Sequence, residues 1–476
     1  MLSVREVTEW CTQLVEPSPD FPEFEQCLAA IPGLDSLAEL RAGTRVLVRG
    51  DVDVNVEDGV VTEDVRLRSL LDTLAFGAER GWIQIVYGHR GRDPHLSLEP
   101  VARHLAGLLQ QAGIRVPRVA FIGEWMNNET GEILESAGRE IGGLAQGTVA
   151  VLENTRRYDL EQALWKAKRA DIAKLADRLT RYANGVRERF GAVHVNEGFA
   201  ASNRDLSSTL VPLAMEHVAL GRYIDVELRQ HVTRARKAEL VVFSGIKINK
   251  LDDLEQILKR GQVRMVIAAG SLAMALKKAD DPAFELGLAG RPEHEKIYIP
   301  PARVDQARRM VETGRSHGVE FVLPVDFILA DGTAVERIPP DQAQFDVGPK
   351  TIELHAGKAG AFIESSRRKA ASGQGPAVAF HNGVFGKFED ERFATGTRRF
   401  MEQLRRMHDA GVEVYVGGGE GGAALEKYGE PDWVTHSFTA GGTILKALGN
   451  EPIPYLKALY LKTSPAFVRP PAQSAG

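Results

Sequence analysis

Cysteine is nearly absent: Cys11 and Cys27 are the two in a chain of 476 residues. Two thiols near one end make no disulfide framework, and both are expected to be inert. No stretch reaches the roughly 18 apolar residues that a membrane-spanning helix needs. Arg5, Glu6 and Glu9 stand where a secretory signal would carry its apolar run. A cytoplasmic location with no membrane partner is therefore expected. An excess of one charge is lacking as well. The net charge of −5 argues against a general nucleic-acid binder and against an anionic membrane surface, while leaving a local basic patch open. No unit of about 20–50 residues repeats. The G-x-x-x-x-G-K-[ST] signature of the P-loop class is missing, which sets that class aside.

What is present is an alternation of short apolar runs with helical stretches, in a chain long enough for two or three domains. The runs are Val46-Leu47-Val48, Ile83-Gln84-Ile85-Val86, Val149-Ala150-Val151-Leu152 and Val193-His194-Val195. Further along come Leu240-Val241-Val242-Phe243, Met265-Val266-Ile267-Ala268, Phe321-Val322-Leu323, Ala377-Val378-Ala379-Phe380 and Val412-Glu413-Val414-Tyr415-Val416. Near-continuous apolar runs of this length suit strands buried on both faces of a parallel sheet. Their alternation with helices makes the class α/β.

Ligands of open α/β sheets sit beyond the carboxyl ends of the strands, so the residues after each run carry the chemistry. In the first half these are Arg49-Gly50-Asp51, His89-Arg90-Gly91-Arg92, Glu153-Asn154-Thr155-Arg156 and Asn196, with Arg66 and Arg204 in nearby loops. In the second half they are Ser244-Gly245, Gly270-Ser271, Asp326, Asn382-Gly383 and Gly417-Gly418-Gly419. Cations gather in the first half and glycines in the second. Guanidinium groups suit a compact phosphate or carboxylate, whose oxygen pairs they bind bidentately. Glycine turns ahead of helices let backbone N–H groups approach nucleotide phosphates. Between the halves, Gly221 to Lys237 reads as a connecting helix, with Tyr223, Ile224, Leu228 and Val232 among polar residues.

Each motif has a plainer reading. The run Gly417–Gly422 resembles part of a dinucleotide fingerprint, yet no acidic residue ends a following strand about 20 residues on, as that fingerprint requires. Packing is another role for these glycines. A single arginine such as Arg66, Arg156 or Arg204 is usually a solvated surface charge, and His89 or Lys247 alone is equally ordinary. Their joint placement after strands is what singles them out. A lysine one turn past a strand end, as Lys247 is, also stands where a transferring phosphoryl group would be met.

From about Leu37 to about Leu461 the chain resembles the phosphoglycerate kinase family, in many separate motifs in the right order. Val48-Arg49-Gly50-Asp51-Val52-Asp53 is similar to the family's first strand and its substrate-binding end. Thr62-Glu63-Asp64-Val65-Arg66-Leu67-Arg68 matches the loop whose arginine lies at the reaction centre, a role that falls to Arg66. Gly88-His89-Arg90-Gly91-Arg92, Leu152-Glu153-Asn154-Thr155-Arg156 and Asn203-Arg204 match segments that hold the substrate phosphate. Ser244-Gly245-Ile246-Lys247 matches the segment whose lysine contacts the moving phosphoryl. Asp346-Val347-Gly348-Pro349-Lys350-Thr351 is very close to the family's own sequence. Asn382-Gly383 with Gly386, Phe388 and Glu389 resembles the nucleotide loop, Glu389 reaching the ribose. Gly417-Gly418-Gly419-Glu420 and Thr439-Ala440-Gly441-Gly442 resemble the glycine runs at the nucleotide, with Glu420 at its magnesium.

The resemblance implies two doubly wound parallel-sheet, Rossmann-like domains joined by a helix. Residues 1–36 form an N-terminal extension, 37–220 the acid-binding domain, 221–238 the connecting helix and 239–446 the nucleotide-binding domain. Residues 447–476 return to the first domain. Asp51, Asp53, His89, Arg92, Arg156 and Arg204 would bind the acid. Gly245, Lys247, Gly270, Asn382, Gly383, Glu389, Gly417, Gly418, Gly419, Glu420, Gly441 and Gly442 would bind ATP or ADP with Mg2+. Arg66, Lys247 and Lys250 would be catalytic. The implied reaction is in-line transfer of the γ-phosphoryl of ATP to the carboxylate of 3-phosphoglycerate, or its reverse, in glycolysis. It needs no general base, because the carboxylate is already a nucleophile. The domains are expected to close about the connecting helix, and the protein to act as a monomer.

Departures from the family pattern keep other readings open. Asp53 stands where the family has asparagine, and Leu251 where it has its second lysine, with Lys250 beside it. Glu420 replaces an aspartate and Gly421 a threonine; Arg90 and Asp93 replace an apolar residue and a proline. One alternative is a kinase for a different phosphorylated or phosphonate acid; another is a nucleotide-binding relative without turnover; a dehydrogenase is more distant. An additional carboxylate beside a substrate carboxylate repels it. Asp53 is therefore expected to be protonated, turned away, paired with Arg49 or Arg90, or else to read a cation such as an amine on the substrate's second carbon.

Overall fold

The apolar runs become strands of two parallel sheets. The computed structural model describes residues 1–18, 20–449 and 452–464, and the chain in it divides into two units. The first comprises residues 1–229 with 452–464. Its sheet is built from β1 (Arg45–Arg49), β2 (Ile83–Tyr87), β3 (Val119–Ile122), β4 (Val149–Leu152), β5 (Val193–Asn196) and β6 (His217–Leu220). The order is β3-β4-β2-β1-β5-β6, with every pairing parallel. Strands β2, β4 and β5 are buried throughout, and β1 after its first residue, which is why their sequences are near-continuous apolar runs. The two edge strands β3 and β6 are absent from those runs. Three of the four β3 residues are only half-buried, and β6 opens on the exposed His217.

Helices α1 (Val4–Val15) and α2 (Phe24–Ala30) form most of the N-terminal extension and belong to this unit. Ser3 and Glu6 close a capping box at the start of α1. The buried Trp10 donates its indole N–H to the Thr209 carbonyl at 2.9 Å, and α1 packs along α3 (Arg169–Phe190). Burial pushes the Cys11 and Cys27 thiols up to about 12, so neither is a ready nucleophile.

A helix opens at α4 (Arg222–Val226) and runs through a π-helical turn at Glu227–Val232 to Thr233–Ala235. The division between the units falls inside it, after Arg229, and not at its ends. Its first turns are tied to the first unit, where Arg229 donates to the carbonyls of Leu28 (3.0 Å) and Ile31 (2.7 Å). Further on, Arg234 pairs with Glu413 and Arg236 donates to the Gly449 carbonyl at 2.7 Å, within the second unit.

Residues 230–449 form the second unit, with β7 (Leu240–Phe243), β8 (Met265–Ala268), β9 (Glu320–Val322), β10 (Val378–Asn382), β11 (Glu413–Gly417) and β12 (His436–Phe438). The parallel order is β9-β8-β7-β10-β11-β12. The helices that matter for the site are α5 (Lys250–Leu258), α6 (Gly270–Asp280), α7 (Pro349–Ala371), α8 (Thr395–Asp409), α9 (Gly419–Tyr428) and α10 (Gly441–Leu448). The Asp346–Thr351 motif opens α7, where the Asp326 carboxylate accepts the N–H groups of Lys350 (3.0 Å) and Thr351 (2.8 Å). After α10 the chain forms α11 (Pro454–Thr463), which packs on α2 and on Leu206–Thr209 of the first unit. Residues 465–476, part of the expected returning segment, lie outside the described residues.

Candidate functional site

In both sheets the strand order reverses beside the first strand, between β1 and β5 and between β7 and β10. Open α/β sheets place ligands at such a point, beyond the strand ends. In the first unit, the end of β1 leads into Asp51 and Asp53. The chain has already left the strand there, so strand alternation does not aim these two carboxylates; loop contacts do. Asp51 is buried and accepts the Ala200 N–H at 3.3 Å. Burial raises its pKa, opposed by Arg66 and Arg49. Asp53 accepts the Gly91 N–H at 2.7 Å and lies 3.3 Å from Arg66, which also donates to the Asp53 carbonyl at 2.8 Å. The expected pairing of Asp53 with Arg49 or Arg90 is not formed. Arg90 is turned to the carbonyls of Val54 (3.2 Å) and Ser97 (3.1 Å), and Arg49 lies beneath His89.

Arg49 is 1% exposed and donates to Ser207 Oγ at 2.8 Å and to His89 Nδ1 at 3.0 Å. A guanidinium can only donate, so Nδ1 accepts and the His89 proton sits on Nε2. Burial, with Arg49, Arg156 and Arg66 adding to it, holds the His89 pKa well below the ordinary range. His89 is thus a neutral donor, its Nε2 3.8 Å from Asp53. Arg156 donates to the Gly91 carbonyl at 2.6 Å and lies 5.0 Å over the Trp165 ring; Arg204 donates to the Trp165 carbonyl at 2.6 Å. Among the described residues neither Arg156 nor Arg204 forms an ion pair, and burial lowers the pKa of both. Arg92 is exposed. Partly desolvated guanidinium groups without carboxylate partners are what an incoming anion would neutralise.

In the second unit, a cleft of about 400 Å³ lies at the ends of β7, β10 and β11. Lys247, Lys250, Asp253, Asn382, Glu420 and the glycines 383, 418, 419, 421, 441 and 442 line it. Three helices, α5, α9 and α10, begin at this cleft, so free N–H groups and positive dipole ends face it. The glycines permit the approach. A Cβ on Gly383, whose φ is +96°, would stand 2.2 Å from the Ser244 carbonyl oxygen, and one on Gly441 2.8 Å from the Gly418 Cα. Lys247 is exposed, whereas Lys250 is largely covered and donates to the Ser244 carbonyl at 2.8 Å, 3.5 Å from Glu420. Burial lowers its pKa, with Glu420 opposing. Leu251 is fully buried in the core. Gly245 (φ +126°) packs under Lys250, and Gly270 backs Gly245 through the Ser271 N–H to Gly245 O bond at 3.1 Å. Gly417 closes β11. Glu389 is exposed and outside the cleft lining.

Reading strand ends alone passed over Asp253, Trp165, Asp205 and Glu161. Asp253 lines the cleft from the first turn of α5, and burial pushes its carboxyl up to about 6, with Asp252 adding and Lys446 and Lys250 opposing. Nucleotide phosphates favour its neutral form. Affinity for ADP is therefore expected to rise as pH falls from about 8 to about 5. Asp253→Asn should flatten that rise and bind ADP about tenfold tighter at high pH, the factor that ~1.4 kcal/mol of relieved repulsion gives. Calorimetric titration at both pH values checks this; identical profiles for parent and variant would remove Asp253 from the site.

The chain is similar to known proteins in sequence and fold. The family model described as phosphoglycerate kinase matches residues 37–451. The phosphoglycerate kinase of Streptomyces griseus subsp. griseus is 32% identical over 448 residues, covering 89% of this chain and 98% of that one. That of Chloroflexus aggregans is 30% identical over 437 residues, covering 88% and 96%. Among solved structures, phosphoglycerate kinase from Coxiella burnetii aligns over 91% of this chain and all of its own, with a TM-score of 0.66 at 22% identity. That from Pyrococcus horikoshii aligns over 91% and 99%, with a TM-score of 0.68, also at 22%. The structural likeness carries the two-sheet fold, and the match along the sequence carries descent: the chain belongs to the phosphoglycerate kinase family.

Proposed function

We propose that this protein transfers the γ-phosphoryl of ATP to the carboxylate of 3-phosphoglycerate, giving 1,3-bisphosphoglycerate, or runs the reverse. The observation that carries the reading is the pair Arg156 and Arg204, partly desolvated and in no ion pair among the described residues, in a member of this family. With Arg92 and the His89 Nε2–H they offer a compact phosphate its donors. Arg66 attends the acid's carboxylate. In the other unit, the N–H groups at the starts of α9 and α10 take nucleotide phosphates, and Lys247 and Lys250 neutralise the oxygens of the transferring group. No proton need be removed, so positioning and charge compensation supply the catalysis. Glu420, half-exposed at the start of α9, offers the hard oxygen ligand that a nucleotide-borne Mg2+ takes, and bound magnesium would add charge neutralisation at the phosphates. A cytoplasmic monomer goes with this reading; no described helix is long and apolar enough to cross a membrane.

A coupled assay with ATP and 3-phosphoglycerate tests it: steady acyl-phosphate formation is expected, and nucleotide binding without turnover would overturn it. Asp53 favours one further reading, a different acid. Its carboxylate offsets Arg66, and an added negative charge about 4 Å from a substrate carboxylate costs about 4 kcal/mol at an effective dielectric of 20. If 3-phosphoglycerate is the substrate, Asp53→Asn should lower its KM several-fold by releasing Arg66. If the substrate carries an amine at its second carbon, the parent should prefer the 2-amino counterpart and the variant should lose that preference. No change with either acid removes Asp53 as a specificity residue.

A further inference from the structure

The acid-binding cations of the first unit converge on one side chain that no strand end announced. Trp165 lies partly buried in the loop before α3. Its ring lies under the Arg156 guanidinium at 5.0 Å, its carbonyl accepts from Arg204 at 2.6 Å, and its indole N–H donates to Asp205 Oδ1 at 2.8 Å. The other Asp205 oxygen is 3.9 Å from Arg49, whose guanidinium in turn sets the His89 tautomer through the 3.0 Å contact with Nδ1. One residue therefore touches Arg156 and Arg204 directly, and reaches His89 through Asp205 and Arg49.

The chemistry of the contact matters. A carboxylate would hold Arg156 in place but cancel its charge. An aromatic face orients a guanidinium through its quadrupole while leaving the charge, and the N–H edge, to the ligand. The indole N–H also engages Asp205, whose second oxygen faces Arg49; among the described residues Arg156 has no ion pair, and Asp205 acts on it only at longer range. We infer that Trp165 is a positioning residue that sets the affinity of this unit for the anionic acid, its ring holding Arg156 ready without an ion pair. This rests on the reading that these arginines bind the acid.

The test compares Trp165→Leu, Trp165→Phe and, as a reference, Arg156→Ala in steady-state assays with 3-phosphoglycerate and ATP. Trp165→Leu removes the aromatic face and the N–H, and should raise the acid KM about 3- to 30-fold, the range that loss of a partly desolvated cation–π contact gives. Trp165→Phe restores the face and should recover most of that loss. Both should leave kcat and the nucleotide KM within about twofold. The parent's tryptophan emission should change on adding 3-phosphoglycerate, and the change should vanish in Trp165→Phe. If Arg156→Ala raises the acid KM and Trp165→Leu does not, the role given to Trp165 is wrong while the acid site stands. If Arg156→Ala leaves the acid KM alone, the acid site itself is misassigned. If kcat and both KM values fall out of range together in Leu and Phe variants alike, Trp165 is only a packing residue, and the inference fails.

Discussion

Lys250→Ala is expected to lower kcat by about 10²- to 10³-fold while changing the ADP dissociation constant only modestly. That is the scale on which removing one preorganised electrostatic donor acts on a developing charge. The reason lies in where the ammonium sits. Lys250 begins α5, is mostly covered, and is held by the Ser244 carbonyl at 2.8 Å and by Glu420 at 3.5 Å. An ammonium so anchored needs little reorganisation when charge builds on the transferring oxygens. Lys247 is exposed, so it is expected to contribute more to binding and less to preorganisation. Family members carry a second lysine where this chain has Leu251, and that leucine is fully buried in the core. Lys250, one position earlier, is therefore the side chain expected to do its work. Steady-state kinetics alongside nucleotide calorimetry check the point. Turnover within about twofold of the parent would take Lys250 out of the catalytic set and support a nucleotide-binding protein without turnover.

The second large effect falls on the other substrate. Arg156→Ala should weaken 3-phosphoglycerate by about 10- to 150-fold, from the ~1.5–3 kcal/mol of a charge-assisted contact, and leave the nucleotide constant unchanged. Arg156 has no ion pair among the described residues, but the buried Asp205 and Glu161 act on it at longer range, so the stability of the variant is measured beside its affinity. Its guanidinium donates to the Gly91 carbonyl at 2.6 Å, an acceptor that water can satisfy in the variant. A shift in the nucleotide constant with an unchanged acid constant would show that the acid and nucleotide sites have been assigned to the wrong units.

The fold was legible in the sequence wherever a strand is covered on both faces. Val46-Leu47-Val48, Val149–Leu152 and Leu240–Phe243 are such strands, and each is buried throughout. A strand with helices on both sides tolerates a polar residue only where it is hydrogen-bonded, as Gln84 and His194 are, so it writes itself as a nearly continuous apolar run. The edge strands β3, β6 and β12 lack one neighbour and keep partly exposed positions. Their signal is correspondingly diluted. The rule that ligands gather at strand ends pointed to His89, Arg156, Asn382 and Gly417–Gly419, because such residues stand at or a few residues past the ends of their strands.

The residue pattern along the chain thus accounts for the α/β class, the buried strands, and the separation of a cation-rich half from a glycine-rich half. The side-chain partners came from folding. It paired Asp53 with Arg66 and not with Arg49 or Arg90, put Lys250 rather than Lys247 under cover beside Glu420, and brought Trp165 against Arg156, Arg204 and Asp205. The physical reason is one of range. Burial and strand period act on neighbours a few residues apart and leave a pattern along the chain. An ion pair or a cation–π contact is made by side chains that only the folded sheet brings to one edge, and its energy depends on angstroms that no spacing in the sequence encodes.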